Sequence, residues 1–179
     1  MAAPIVERAR LFATAAHAAV AQVRKYTGEP YIHHPTEVAG IVESVGGTDE
    51  MIAAAFLHDV VEDTGVSLDL IRTEFGDEVA QLVYWLTDVS KPEDGPRAVR
   101  KGIDRAHTAL ATPQAKTIKL ADLISNTRSI MVHDKNFAQV YVKEKAALLE
   151  VLTKGNQELY RRAQAYIDAW NNRTELPAD

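Results

Sequence analysis

The run Ala53-Ala54-Ala55-Phe56-Leu57-His58-Asp59-Val60-Val61-Glu62-Asp63-Thr64 sets the strictest condition on how this chain folds. It is apolar, yet it carries an imidazole and three carboxylates near its end. On a helix, a spacing of four residues returns the chain to the same face, so Glu62 falls near His58 and Asp63 near Asp59. Three acids held that close repel one another unless a cation or protons intervene. A polar helix end turned to water is the simpler account of the run taken alone. The rest of the chain has to decide between the two.

Elsewhere the pattern is helical. Val6, Ala9, Ala13, Ala16, Val20 and Val23 recur at helical spacing, which predicts a helix from about Ile5 to Lys25. His17 falls on or beside that face and reads as a core histidine satisfied by hydrogen bonds. Arg24 and Lys25 suit the C-terminal dipole, and Gly28 with Pro30 stops the helix. A second helix is expected from Pro35 to Val45, with His34 just outside its N-terminus and better placed than His33 to face inward. A third, capped by Thr48 or Asp49, runs through the titratable stretch to about Glu62, and Asp63-Thr64-Gly65 ends it. Ser67 caps a short helix to Phe75, and Gly76-Asp77 opens another to about Thr87, with Leu82, Val83 and Trp85 as core.

Residues 88–97 hold Pro92, Gly95 and Pro96 and read as a loop. Arg97, Arg100, Lys101 and Arg105 follow on a helical stretch. Such a charge run reads mainly as a solvated face, with one or two bases able to reach an anionic ligand. After a break at Ala111-Thr112-Pro113, Lys116 to His133 forms a helix. Leu120, Leu123, Ile124, Thr127 and Met131 gather on one side of it, and Asp122, Ser125, Asn126 and Ser129 on the other. Asp122 and Asn126 lie one turn apart and can address a common site; the plainer reading is exposed small polar residues. Helices over Phe137–Leu152 and Asn156–Trp170 and a frayed tail from Asn171 complete the chain. No segment of any length has strand periodicity, so the expected fold is all-α, a single bundle of about eight to ten helices.

Composition narrows the function. With 179 residues the chain is long enough for one domain with a real core. A net charge of −5 gives no general basic field for nucleic acid, so an anionic substrate must be met by local bases or a metal. The absence of cysteine excludes disulfides and Cys-ligated metal clusters. No apolar run approaches the ~20 residues of a membrane span, and the N-terminal region is broken by charges. The expectation is a cytoplasmic protein with no membrane partner. No glycine-rich phosphate loop is found.

His34, His58, Asp59 and Asp122 together supply two imidazoles and two carboxylates, a nitrogen–oxygen set suited to one divalent transition metal. A histidine before a proline-led helix, then His-Asp, then an Asp on a later helix resembles the HD phosphohydrolase superfamily. Arg24-Lys25, Gly28-Glu29-Pro30-Tyr31-Ile32, His34-Pro35, Phe56 through Thr64, and Lys119-Leu120-Ala121-Asp122 with Asn126 and Arg128 resemble the hydrolase domain of the RelA/SpoT proteins, over about residues 5–170. No stretch resembles their synthetase or regulatory domains, so the likeness is to a free-standing small alarmone hydrolase of one domain, residues 1–179.

The resemblance implies hydrolysis of the 3′-pyrophosphate of (p)ppGpp with manganese, Mn2+, as cofactor. It implies His34, His58, Asp59 and Asp122 as metal ligands, and Glu62 and Asp63 as the acids that position and deprotonate the attacking water. It further implies Arg24 at the base, Lys25 near the phosphates, Asn126 hydrogen-bonded to the nucleotide and Ser129 close to the sugar or base; in an acidic protein, Arg128 or Lys143 would be a further local base for the anion. The partner implied is a small-molecule nucleotide, and a homo-oligomer is compatible with it. Three departures stand out: Leu123-Ile124-Ser125 where the family commonly has Arg-Leu-His, Leu86-Thr87-Asp88 where Val-Thr-Lys is frequent, and one extra residue between Arg24 and His34. They keep open a preference for adenine alarmones, (p)ppApp, or for NADPH. A nucleotide-sensing module without turnover is the alternative of another class.

Overall fold

A computed structural model of the chain describes residues 4–177. The described residues form ten α-helices and one short 3-10 turn, and their one β-bridge, Val23 with Pro30, is isolated. The chain is all-α. No helix among the described residues is long and apolar enough to cross a membrane. Two compact units are distinguished, one up to Asp88 and one from Val89 onward.

The first unit holds α1 (Ile5–Ala19), α2 (His33–Ser44), α3 (Asp49–Leu57), α4 (Val60–Thr64), α5 (Leu68–Phe75) and α6 (Asp77–Leu86). Its centre is α3. Every residue from Met51 to Leu57 is buried, and α1, α2 and α6 pack around it. A helix apolar on all sides can only be stable when surrounded, and each large side chain it buries contributes about 1.5–3 kcal/mol. Thr48 caps α3 by accepting from the Met51 N–H, and Ser67 caps α5 by accepting from Leu70. Gly65, at φ +74°, closes α4 in the left-handed region.

Three expected boundaries are corrected. The first helix stops at Ala19, not Lys25. Ala21 takes φ +51°, and the Ala21 and Gln22 N–H groups turn back to the Ala18 and His17 carbonyls. These are the two bonds of a helix-ending Schellman turn, made here with alanine in the position glycine usually takes. Arg24 and Lys25 therefore lie in a bridged loop, not in a helix. The second helix begins at His33, so His34 is inside its first turn. The third helix does not run unbroken to Glu62: His58 and Asp59 form a turn between α3 and α4, with Asp59 at ψ −6° in place of a helical value near −42°. The Asp63 N–H still reaches the Asp59 carbonyl, so Asp59 and Asp63 keep their four-residue relation across the break.

The second unit holds the 3-10 turn Pro92–Asp94, α7 (Arg97–Ala109), α8 (Pro113–His133), α9 (Lys135–Leu149) and α10 (Gln157–Asn172). Its centre is α8, against which α9 and α10 pack. Thr112 caps α8, with Pro113 at its first turn, so it starts three residues before the expected Lys116. The plainer reading of the polar side of this helix, exposed small polar residues, does not hold for Asp122 and Ser125. Asp122, Ser125 and Thr127 are buried along with Leu120, Leu123 and Ile124, because two helices cover the segment. The basic face of α7 is not wholly solvated either. Arg97 makes a two-pronged ion pair with Glu144 at 2.7 and 2.8 Å. Buried Asp104 holds the preceding loop by accepting from the Val89 and Ser90 N–H groups and the Ser90 hydroxyl. Trp85 is only partly buried, unlike Leu82 and Val83. Helix α10 runs two residues beyond Trp170, and residues 178–179 of the expected frayed tail lie outside the described residues.

Gly155 lets the loop before α10 lie directly on α8. A Cβ there would sit 2.7 Å from Leu120 Cδ1 and 3.1 Å from the Lys116 carbonyl carbon. The Asn156 N–H beside it donates to Thr117 Oγ1 at 2.9 Å. Gly155→Ala is expected to destabilise the protein by about 1–3 kcal/mol, read as a lowered midpoint in urea unfolding, since backbone cannot yield as a side-chain tip can.

Candidate metal centre and its neighbours

The break between α3 and α4 places His58 and Asp59 where neither belongs fully to a helix. His58 is 1% exposed, and its Nδ1 lies 2.7 Å from the Ala55 carbonyl. A carbonyl only accepts, so Nδ1 carries a proton, and in the neutral ring this leaves Nε2 to present its lone pair. That Nε2 is 3.0 Å from Asp59 Oδ2. His34, also 1% exposed, points its Nε2 to the same oxygen at 3.7 Å, and the two imidazole rings stand 5.2 Å apart. Two imidazole nitrogens directed at one carboxylate oxygen are a ligand arrangement that suits a shared cation. One ligand atom from each of His34, His58 and Asp59 lies within 4.8 Å of the others, a spacing that fits a metal ion. The His58 contact to a backbone carbonyl is the kind of outer contact that fixes the tautomer of a metal-binding histidine. His33, adjacent in sequence, is exposed.

Asp59 has a further holder that the sequence did not single out. The Tyr31 hydroxyl donates to Asp59 Oδ2 at 2.5 Å, and the Tyr31 ring lies edge-on to His34 at 5.8 Å. The pairing spans 28 positions, and the only trace of it in the sequence is the place of Tyr31 within Gly28-Glu29-Pro30-Tyr31-Ile32.

Glu62 and Asp63 lie on α4, and the structure ties them in different directions. Glu62 Oε2 accepts from the Asp88 N–H at 3.2 Å. Asp63 Oδ2 accepts from Gln22 Nε2 at 2.9 Å. Part of Asp63 reaches solvent, but protein atoms crowd its carboxyl, and this desolvation holds its pKa above the ordinary carboxylate range. The Gln22 hydrogen bond pulls the other way, the charge of Asp59 adds to the rise, and His17 and His58 oppose it. A carboxylate raised in this way is a better proton acceptor near neutral pH than an unperturbed one.

Arg24 sits in the loop braced by its own backbone, its N–H donating to the Glu29 carbonyl at 2.8 Å. Lys25 is exposed, with its ammonium over the Tyr26 ring at 5.0 Å. Asp122, Asn126, Arg128 and Ser129 belong to α8 of the second unit. There Asn126 Nδ2 donates to Asp122 Oδ1 at 2.6 Å, and the Lys119 ammonium is 3.5 Å from Asp122 Oδ2. Asn126 thus orients the Asp122 carboxylate, a role the sequence reading did not give it. The Tyr141 hydroxyl is also buried in this unit. Burial first, and the Asp122 charge second, push its pKa far above the ordinary phenol value. The Ser129 carbonyl accepts from His133 Nδ1.

The chain belongs to the HD domain family, whose model matches residues 9–152 and so runs through both units. Among curated proteins it is similar to a probable guanosine-3′,5′-bis(diphosphate) 3′-pyrophosphohydrolase of Synechocystis, 40% identical over 129 residues, covering 70% of this chain and 17% of that protein. It is also similar to the human guanosine-3′,5′-bis(diphosphate) 3′-pyrophosphohydrolase MESH1, 38% identical over 105 residues, covering 58% of this chain and 57% of the relative. The chain therefore spans under a fifth of the first relative and little more than half of the second. A solved structure described as "A metazoan ortholog of SpoT hydrolyzes ppGpp and plays a role in starvation responses" matches with a TM-score of 0.81 and 26% identity, covering 99% of both chains.

Proposed function

We propose that this protein hydrolyses the 3′-pyrophosphate of (p)ppGpp, giving GDP or GTP and pyrophosphate, with one divalent metal, Mn2+, at His34, His58, Asp59 and Asp122. The observation that carries this reading is the group His34, His58 and Asp59, built by a motif that continues directly into Glu62-Asp63-Thr64. The names of the similar proteins support the substrate. The place of Asp122 in the set rests on the resemblance of Lys119-Leu120-Ala121-Asp122. The match of one family model to residues 9–152 supports reading the chain as one functional domain.

A metal held there supplies a bound water of lowered pKa and offsets phosphate charge. The chain's own residues do the remainder. His34 and His58 would hold the metal through their ring nitrogens, and Tyr31 keeps Asp59 turned toward them. Asp63, raised above the ordinary range, takes the proton of the attacking water, with Glu62 beside it in sequence as the second acid. Arg24, Lys25 and Arg128 meet the substrate's negative charge in a protein that is acidic overall. Asn126 and Ser129 are the remaining nucleotide contacts.

The test is incubation with ppGpp and Mn2+, with products separated by anion-exchange chromatography. Pyrophosphate and GDP are expected. No turnover, or orthophosphate alone, overturns the reading. Equal amounts of ppGpp and ppApp in one tube, with NADPH in a second, decide the base preference that Leu123 and Ser125 leave open.

A further inference from the structure

His17 is 1% exposed, lies outside the metal group, and is given no task by the chemistry above. It occupies the last turn of α1. Its Nδ1 is 2.7 Å from Gln22 Oε1, while Gln22 Nε2 donates to Asp63 Oδ2 at 2.9 Å. An amide has one accepting and one donating end. With the donating end on a carboxylate, the accepting end must face a donor. His17 therefore carries its proton on Nδ1. Its Nε2 is buried and has no hydrogen-bond partner among the described residues.

The backbone holds Gln22 at this bridge from both sides. Its N–H donates to the His17 carbonyl at 3.1 Å, and its carbonyl accepts from the Tyr31 N–H at 3.3 Å. The left-handed Ala21 just before it makes that return possible. The His17 ring in turn packs on the Tyr31 ring at 4.7 Å, and Tyr31 is the holder of Asp59. The end of α1 and the loop after it thus grip two acids, Asp59 in the break through Tyr31 and Asp63 on α4 through Gln22.

We propose that His17 and Gln22 are positioning residues for Asp63. His17 Nδ1–H fixes which way the Gln22 amide points. Gln22 Nε2–H then fixes Asp63 Oδ2, which leaves Oδ1 as the oxygen that takes the proton from water. The proposal rests on the reading of Asp63 as the proton acceptor. Neither residue touches substrate or metal in this scheme; both act through Asp63.

The test uses the full chain, the metal-loaded protein and ppGpp. Gln22→Met keeps the length of the side chain and removes both hydrogen bonds. His17→Phe keeps the ring and removes the donor. His17→Asn restores a donor close to the place of Nδ1. Loosening a proton acceptor without removing it is expected to lower kcat about 10- to 100-fold with KM within about twofold, while His17→Asn regains most of the loss. A tie that serves only to hold α1 to α4 would lower the melting temperature and leave kcat of the folded fraction unchanged. Gln22→Met with wild-type kcat overturns the proposal, as does His17→Asn no better than an equally folded His17→Phe. Long-range 15N–1H correlations of His17 in the unsubstituted protein give a second reading that needs no turnover. The Nδ1–H tautomer is expected, and the Nε2–H tautomer overturns the proposal. If the unsubstituted protein fails to cleave ppGpp, the proposed function falls, and the tautomer still decides whether the His17–Gln22 arrangement exists.

Discussion

Asp59→Ala is expected to strip the protein of bound divalent metal and to lower kcat/KM for ppGpp by about a thousandfold or more, because loss of the metal removes both the activated water and the charge compensation. Asp59 Oδ2 is the point on which the group converges: His58 Nε2 at 3.0 Å, His34 Nε2 at 3.7 Å and the Tyr31 hydroxyl at 2.5 Å. Without it, the two imidazoles of this group lose the carboxylate oxygen on which both converge. Tyr31→Phe is the graded companion. It keeps the carboxylate but frees it to turn, and loss of such an outer contact weakens metal affinity by about 10- to 100-fold. Metal content after gel filtration, with circular dichroism to show that the fold is retained, gives the answer. An Asp59→Ala protein that still carries stoichiometric metal would mean the group has been misassigned.

Asp63→Asn separates proton transfer from metal binding. The asparagine carbonyl can still accept from Gln22, so the local geometry survives while the base is gone. A fall in kcat of about 100- to 10,000-fold is expected with metal content unchanged, the range for removing a positioned general base. Stability should move the other way. The pKa of Asp63 in the folded protein is raised, chiefly by desolvation, so its carboxyl favours the fold only while protonated. That contribution is present below the ordinary carboxylate pKa and is lost as pH rises through the raised value. At pH 7 the ionised group disfavours the fold, and Asp63→Asn should melt no lower than the parent, with the difference vanishing in acid. A lower melting temperature at pH 7 would show that the charge of Asp63 is instead stabilising. Glu62→Gln tests the partner acid independently. Its tie to the Asp88 N–H can persist through the amide oxygen, so any loss of kcat reports on the charge of Glu62 and not on the loop it holds.

How much of this was legible in advance varies with the range of the interactions concerned. A cap at Thr48 or Asp49, the cap at Ser67, the apolar run of α3 and the stop at Gly65 follow from rules that act over three or four residues, and they were readable. The end of α1 was not. Val20 and Val23 continue the apolar period, yet Ala21 turns left-handed and both valines are exposed. Periodicity cannot register that the Gln22 backbone is claimed by His17 and Tyr31. The α3–α4 break escaped for a similar reason: Ala53 to Thr64 contains no glycine or proline, and nothing local forbids a continuous helix.

The chemistry divides along the same line. The sequence by itself determined the inventory: an all-α chain, two histidines and an aspartate in the His-Asp pattern, two acids four residues on, and an overall negative charge under which any anionic ligand would need local bases or a metal. Only the tertiary structure decided which atoms meet. It turned His58 Nε2 and His34 Nε2 onto one oxygen of Asp59, brought Tyr31 to that oxygen from 28 positions away, and brought Gln22 to Asp63 from 41. Residue types and helical spacing constrain neighbours within about a turn. Contacts between helices are set by how buried faces pack, and a side chain such as Gln22, polar and unremarkable in its own segment, acquires its role from what that packing lays beside it.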